Sequence, residues 1–168
     1  MESLAFLADK VKRVHQGGAW HGPSVKEALD GVTATMASSR VLPSAHTIHA
    51  LTHHISAWAG EVLQRLQGRA PQMPDEGDFP ARVDSLDELA WTRTVAHLDA
   101  VHARLIEAIL ALDPARLEQV VGDEPSLPLG TGHTVRGMLH GLVQHDAYHA
   151  GQIVILRRAI EARAAMTP

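Results

Sequence analysis

The chain has no cysteine. That removes disulfides, a protein thiolate nucleophile and every cysteine-based zinc site, and leaves histidine and carboxylate side chains as possible metal ligands. Aromatic residues are scarce, at 4% of 168 residues, and Lys and Arg total 15 against 19 Asp and Glu, a net charge of −4. A nucleic-acid surface calls for basic stripes and stacking aromatics, and neither is present. No apolar run approaches the roughly 20 residues that span a bilayer, and Met1-Glu2-Ser3-Leu4 lacks the basic-then-apolar layout of a signal peptide. There is no Gly-rich phosphate loop and no Gly-x-Ser-x-Gly elbow. The Glu-x-x-His pairs of di-metal carboxylate bundles are missing too, Asp99-Ala100-Val101-His102 being the only remote substitute. What remains is a cytoplasmic, soluble chain expected to form one domain over residues 1–168, large enough to bury a core.

The apolar residues recur at helical spacing almost throughout. A first helix is expected from about Ser3 to His15, stopped by Gly17-Gly18. Ser24 can N-cap a short helix carrying Val25, Ala28 and Leu29, and Thr33 can start another turn. A second long helix opens near Ser44 and runs to Leu66, with Ile48, Leu51, Ile55, Trp58, Val62 and Leu66 as its apolar face. After a Pro-, Gly- and Asp-rich loop from Ala70 to Asp84, Ser85 reads as the N-cap of a third long helix carrying Trp91, Val95, Leu98, Leu105, Ile109 and Leu112. A short piece around Ala115 to Val121 and a Gly/Pro loop lead to the last helix, roughly Thr134 to Ala164. Four amphipathic helices with short inserts make an all-α four-helix bundle, and the loops are long enough to allow crossover connections.

Twelve histidines are the one unusual count. On the last helix, Met138, Leu142, His145, His149, Ile153 and Leu156 follow steps of four and three, so two imidazoles sit one above the other in a buried stripe. Holding a metal ion is an obvious shared use, but a tight site needs three or four ligands. The second helix offers His46, His49, His53 and His54. At about 100° per residue, His54 lies roughly 90° from the centre of the apolar face, His49 roughly 130° and His53 roughly 170°. His54 is therefore chosen and His53 should face water. His54, His145 and His149 would leave room for water or substrate, as catalytic zinc-type sites do. Gln152, one turn past His149, can orient a ligand or face substrate, and Tyr148 can donate from the edge of the stripe, although such a tyrosine often only anchors a helix. His102 fits the third helix's stripe as a hydrogen-bonded core residue better than as a fourth ligand. His140 falls on the far side of the last helix. His15, His97 and His133 look like surface or cap residues, and His21, beside Trp20, can overhang a site opening.

These residues also carry a resemblance. Gly18-Ala19-Trp20-His21-Gly22-Pro23-Ser24, His46-Thr47-Ile48-His49 leading to His54-Ile55-Ser56-Ala57-Trp58, and His140-Gly141 leading to His145-Asp146-Ala147-Tyr148-His149-Ala150-Gly151-Gln152-Ile153 resemble the DinB/YfiT-like superfamily of metal-dependent enzymes, unrelated to DNA polymerases. The likeness covers nearly the whole chain. It implies a bundle of up-down-down-up type, frequent homodimers, and a divalent metal, often zinc or nickel, held by one histidine of the second long helix and two of the last. By motif position these are again His54, His145 and His149. Relatives of this kind include thiol S-transferases using bacillithiol and isomerases using mycothiol. The isomerases place a Glu where this chain has His145, which weakens the likeness to that reaction.

The expected activity is transfer of a low-molecular-weight thiol to a small electrophile, the thiolate arriving with the cosubstrate because the chain supplies none. Metal-dependent hydrolysis is the alternative, needing only an acidified water. Beyond these stand a non-catalytic metal-binding bundle associated with stress, and a bundle whose histidines are core residues with no metal.

Overall fold

The computed structural model describes residues 2–166. Its elements are α1 (Leu4–Gln16), α2 (Val25–Leu29), α3 (Ala34–Ser38), α4 (Ile48–Leu66), α5 (Glu88–Leu110) and α6 (Val135–Ala165), with 3-10 turns at Pro114–Glu118 and Leu127–Leu129. The described residues contain no strand, only an isolated bridge between Val120 and Thr134. None of their helices is long and apolar enough to cross a membrane.

Each helix begins where a short polar side chain can bind a free backbone N–H. Ser3, Ser24, Thr33, Thr47, Asp87 and Thr134 all act as caps. Ser24 and Glu27 form a reciprocal capping box, which stabilises a helix only five residues long. Two expected starts move. The second long helix is capped by Thr47 rather than opening near Ser44, because residues 42–45 form a turn and Thr47 accepts from Ala50 N–H. The third is capped by Asp87, not Ser85, its carboxylate accepting from Ala90 N–H at 2.7 Å. At the other end of α1, Gly17 stops the helix at φ +131°, a conformation that side chains other than glycine rarely adopt.

Helix directions follow from the two apolar clusters. In one, Ala59, Val62 and Leu66 of α4 pack with Val101, Leu105 and Ile109 of α5, Met138 and Leu142 of α6, and Leu7 and Val11 of α1. In the other, Ile48, Leu51 and Ile55 of α4 meet Trp91 and Leu98 of α5, Ala150 and Ile153 of α6, and the short helices α2 and α3. The starts of α4 and α5 thus share one end of the bundle, so these two run parallel, while α6 passes α4 in reverse. Near residue 2, Glu2 bonds His140, and near residue 15, His15 bonds Asp99, so α1 runs with α6 and against α5. The order is up-down-down-up.

Between the two clusters lies a polar layer. His54, His102, Asp146 and His149 are all buried there, flanked along each helix by residues of both clusters.

Candidate metal centre

His54, His145 and His149 converge. Their ring centroids lie 4.8, 4.6 and 4.5 Å apart, close to an equilateral triangle. One nitrogen from each falls within 4.8 Å of the others, close enough for a metal ion to be shared. His54 and His149 are buried and His145 is half-buried.

The far nitrogens are all engaged. His54 Nδ1 lies 2.9 Å from the Asp78 carbonyl oxygen and 3.0 Å from its Oδ1. Trp58 Nε1 donates to the same Oδ1 at 2.8 Å and fixes it. His145 Nδ1 lies 3.2 Å from Asp146 Oδ1, and His149 Nδ1 lies 2.6 Å from Gln152 Oε1. All these partners are oxygens, so each Nδ1 donates, and in a neutral ring Nε2 then presents a lone pair. His54 Nε2 and His145 Nε2 then face each other at 2.8 Å, a contact that needs a proton or a cation shared between the rings. Such a contact is repulsive unless a positive charge sits among the rings. A divalent cation fits this donor set, and anchoring the outer nitrogen to an oxygen is how proteins orient metal-binding imidazoles. Burial holds the His54 imidazole below its usual range. It lowers His149 to about 4, assisted by neighbouring His145. Both rings are therefore neutral near pH 7, the form that ligates metal.

Two residues on the loop between α4 and α5 complete the surroundings. Phe79 stacks on His54 with centroids 4.2 Å apart and on His46 at 3.7 Å, pinning the His54 ring face. Asp78 and Phe79 sit in an aperiodic loop, so helical spacing carried no signal for them.

Asp146 was unremarked in the sequence and is central here. Fully buried, it bonds His145 on one side and His102 Nε2 on the other at 3.0 Å. His102 Nδ1 donates to the Leu98 carbonyl at 3.0 Å, so this histidine is a satisfied core residue and not a fourth ligand. Burial opposes charge on both partners, but their mutual bond and attraction win: His102 is raised and Asp146 lowered from their ordinary values.

His15 corrects the expectation of a surface residue. It is 2% exposed, stacked on His102 with centroids 4.0 Å apart, and bonded to Asp99 at 2.8 Å. His53 also departs from the expected water-facing position. It is half-buried, 3.9 Å from Glu76, and His49 beside it is buried. The reason is that α4 is enclosed on several sides: 14 of its 19 residues are buried, so a single apolar face understates its contacts.

Of the other expected participants, Gln152 contacts His149 as described. Tyr148 is 65% exposed, its ring edge-on to His149 at 5.0 Å. His140 is half-buried and bonded to Glu2 at 2.7 Å, and His97 is an exposed partner of Glu76. His21 lines a cleft with Phe6 and Arg13 on the α1 side. A second cleft, about 410 Å³, is bordered by His145.

A crystal structure of a conserved protein from Enterococcus faecalis superposes with a TM-score of 0.71 at 17% identity, covering 96% of this chain and 99% of that one, a likeness of fold. No curated protein matches the sequence. The sequence pattern of the DinB superfamily matches residues 19–153, a span that includes all three converging histidines, and the chain belongs to that superfamily.

Proposed function

We propose that this protein is a metal-dependent enzyme in which His54, His145 and His149 hold a divalent zinc or nickel ion, and that it transfers a low-molecular-weight thiol to a small electrophile. The observation that carries the metal half is the convergence of one nitrogen from each of three histidines within 4.8 Å, with every Nδ1 engaged by an oxygen. Three protein ligands rather than four is the count of catalytic zinc sites. When bound, such an ion supplies the positive charge that favours a thiolate at neutral pH.

The chain's own residues do the rest. With no cysteine, the protein offers no competing thiolate, so the nucleophile enters with the cosubstrate. Gln152 holds His149 with its Nε2 toward the centre, and Asp78 and Asp146 do the same for His54 and His145. Tyr148, at the rim beside His149, is placed to offer its hydroxyl as a donor to a bound molecule. Tyr148 and Ile155, exposed and seven residues apart on one face of α6, support a homodimer, which light scattering showing only monomer at micromolar concentration would remove.

The test is elemental analysis of the purified protein and of His149→Ala, followed by incubation with bacillithiol or glutathione and a model electrophile, with and without chelator. Unchanged metal content in the variant rejects the ligand set. Chelator-sensitive ester or amide cleavage without thiol consumption replaces transfer with hydrolysis.

A further inference from the structure

The cleft bordered by His145 lies between α4, α6 and the turn before Gly130, and its walls include Val62, Met138, Leu142, Trp58 and Arg65. Arg65 is the one arginine in a lining whose other polar residues are His133, His140, Gln144 and His145. Its side chain is 3% exposed, and only Nε is bonded, donating to Glu61 Oε1 at 3.0 Å. Glu61 is itself shared with Arg69 and the Gln72 N–H, and Arg69 also pairs with Asp75. Charges in this cluster balance, two arginines against two carboxylates, but donors do not. Among the described residues neither terminal nitrogen of Arg65 has an acceptor, and Nη2 is fully buried without one. The Trp58 ring, 5.9 Å from the guanidinium carbon, offers only its π face.

Buried guanidinium N–H groups are seldom left unpaired, because desolvation without a partner is costly. A free guanidinium N–H, that of Nη1, on the wall of a largely apolar cleft matches a negatively charged acceptor with an apolar body. The volume, about 410 Å³, is that of a small-molecule site.

We propose that this cleft binds a small organic acid, its carboxylate received by Nη1 of Arg65 and its apolar body lying against Val62, Met138 and Leu142. In its role the proposal rests on the metal reading, for the acid is then the substrate or cosubstrate whose reacting end meets the site at His145.

The probe is 3-phenylpropionate against its neutral isostere 3-phenylpropionamide, titrated into the full chain by heteronuclear NMR, metal-free and after zinc loading. The acid is expected to bind about tenfold tighter than the amide in both states. Arg65→Gln removes that preference. Gly141→Leu serves where loss of Arg65 disturbs folding: Gly141 borders the cleft and an added Cβ there meets nothing within 4 Å, so leucine fills the space and abolishes binding of both probes. Acid binding retained in His149→Ala supports the cleft independently, since that variant's metal content tests only the metal reading. Equal affinity for acid and amide, binding that survives Gly141→Leu, or binding seen only with zinc, which puts the carboxylate on the ion, overturns the proposal.

Discussion

Replacing His15 with phenylalanine should flatten the acid limb of the stability curve. Burial and the neighbouring His102 charge lower the His15 imidazole to about 4 in the folded protein, against an ordinary value of 6.5. The unfolded chain therefore takes up a proton as pH falls through 6.5 while the folded chain refuses it until about 4. Stability from this group is complete above the unfolded value, falls as pH drops, and is fully lost below the folded one. The gap corresponds to about 3 kcal/mol in total, of which about 2.4 kcal/mol falls between pH 7 and pH 4.5. Phenylalanine keeps an aromatic face on His102, removes the buried Nδ1 that has no partner, and leaves Asp99 its bond to Lys26 at 2.9 Å. Urea unfolding of both proteins in chelator, at half-unit steps from pH 7.5 to 4.5, measures the difference directly. Parallel curves for wild type and variant would refute the claim that His15 is buried neutral beside a charged His102. At pH 7 the lost bond to Asp99 should cost no more than about 1 kcal/mol.

Other perturbations test separate parts of the structure. Gln152→Leu removes the oxygen that holds His149 and should weaken zinc or nickel binding about 10- to 100-fold in a competition titration, with the far-ultraviolet spectrum unchanged. Thr47→Ala should cost about 1 kcal/mol in urea unfolding, whereas Ser44→Ala should cost a few tenths at most, which would be reversed if the helix started earlier. Leu105→Ala, at a position 0% exposed in the larger apolar cluster, should destabilise by about 2–5 kcal/mol; a value under 1 would mean that α1, α4 and α5 do not pack there as described.

The histidine triangle was legible because helical phase is a local property. His145 and His149 share a stripe with Leu142 and Ile153, and His54 sits one turn from both Leu51 and Trp58, so each ring's direction could be read from its own helix. The orienting groups divide differently. Gln152 lies one turn from His149 and was found by the same rule. Asp78 and Phe79 lie on a loop whose path depends on the whole bundle, and no spacing announces where such a loop will pass. Asp146 shows another limit: its burial makes sense only once His102 arrives from α5, a pairing across 44 positions. His15 misled for the same reason, looking like a basic residue in a last helical turn until the α5 neighbours that cover it are known.

Parallel neighbours in a bundle cannot be joined by a tight hairpin. With α4 and α5 pointing the same way, the segment from Gln67 to Asp87 must climb back along the flank of a helix nearly 30 Å long before the chain can descend again. Its route carries it past His54, where it sets down a carbonyl, a carboxylate and an aromatic ring. Shortening this return strap, or cutting it, should loosen the grip on metal even though every ligand sits on an intact helix.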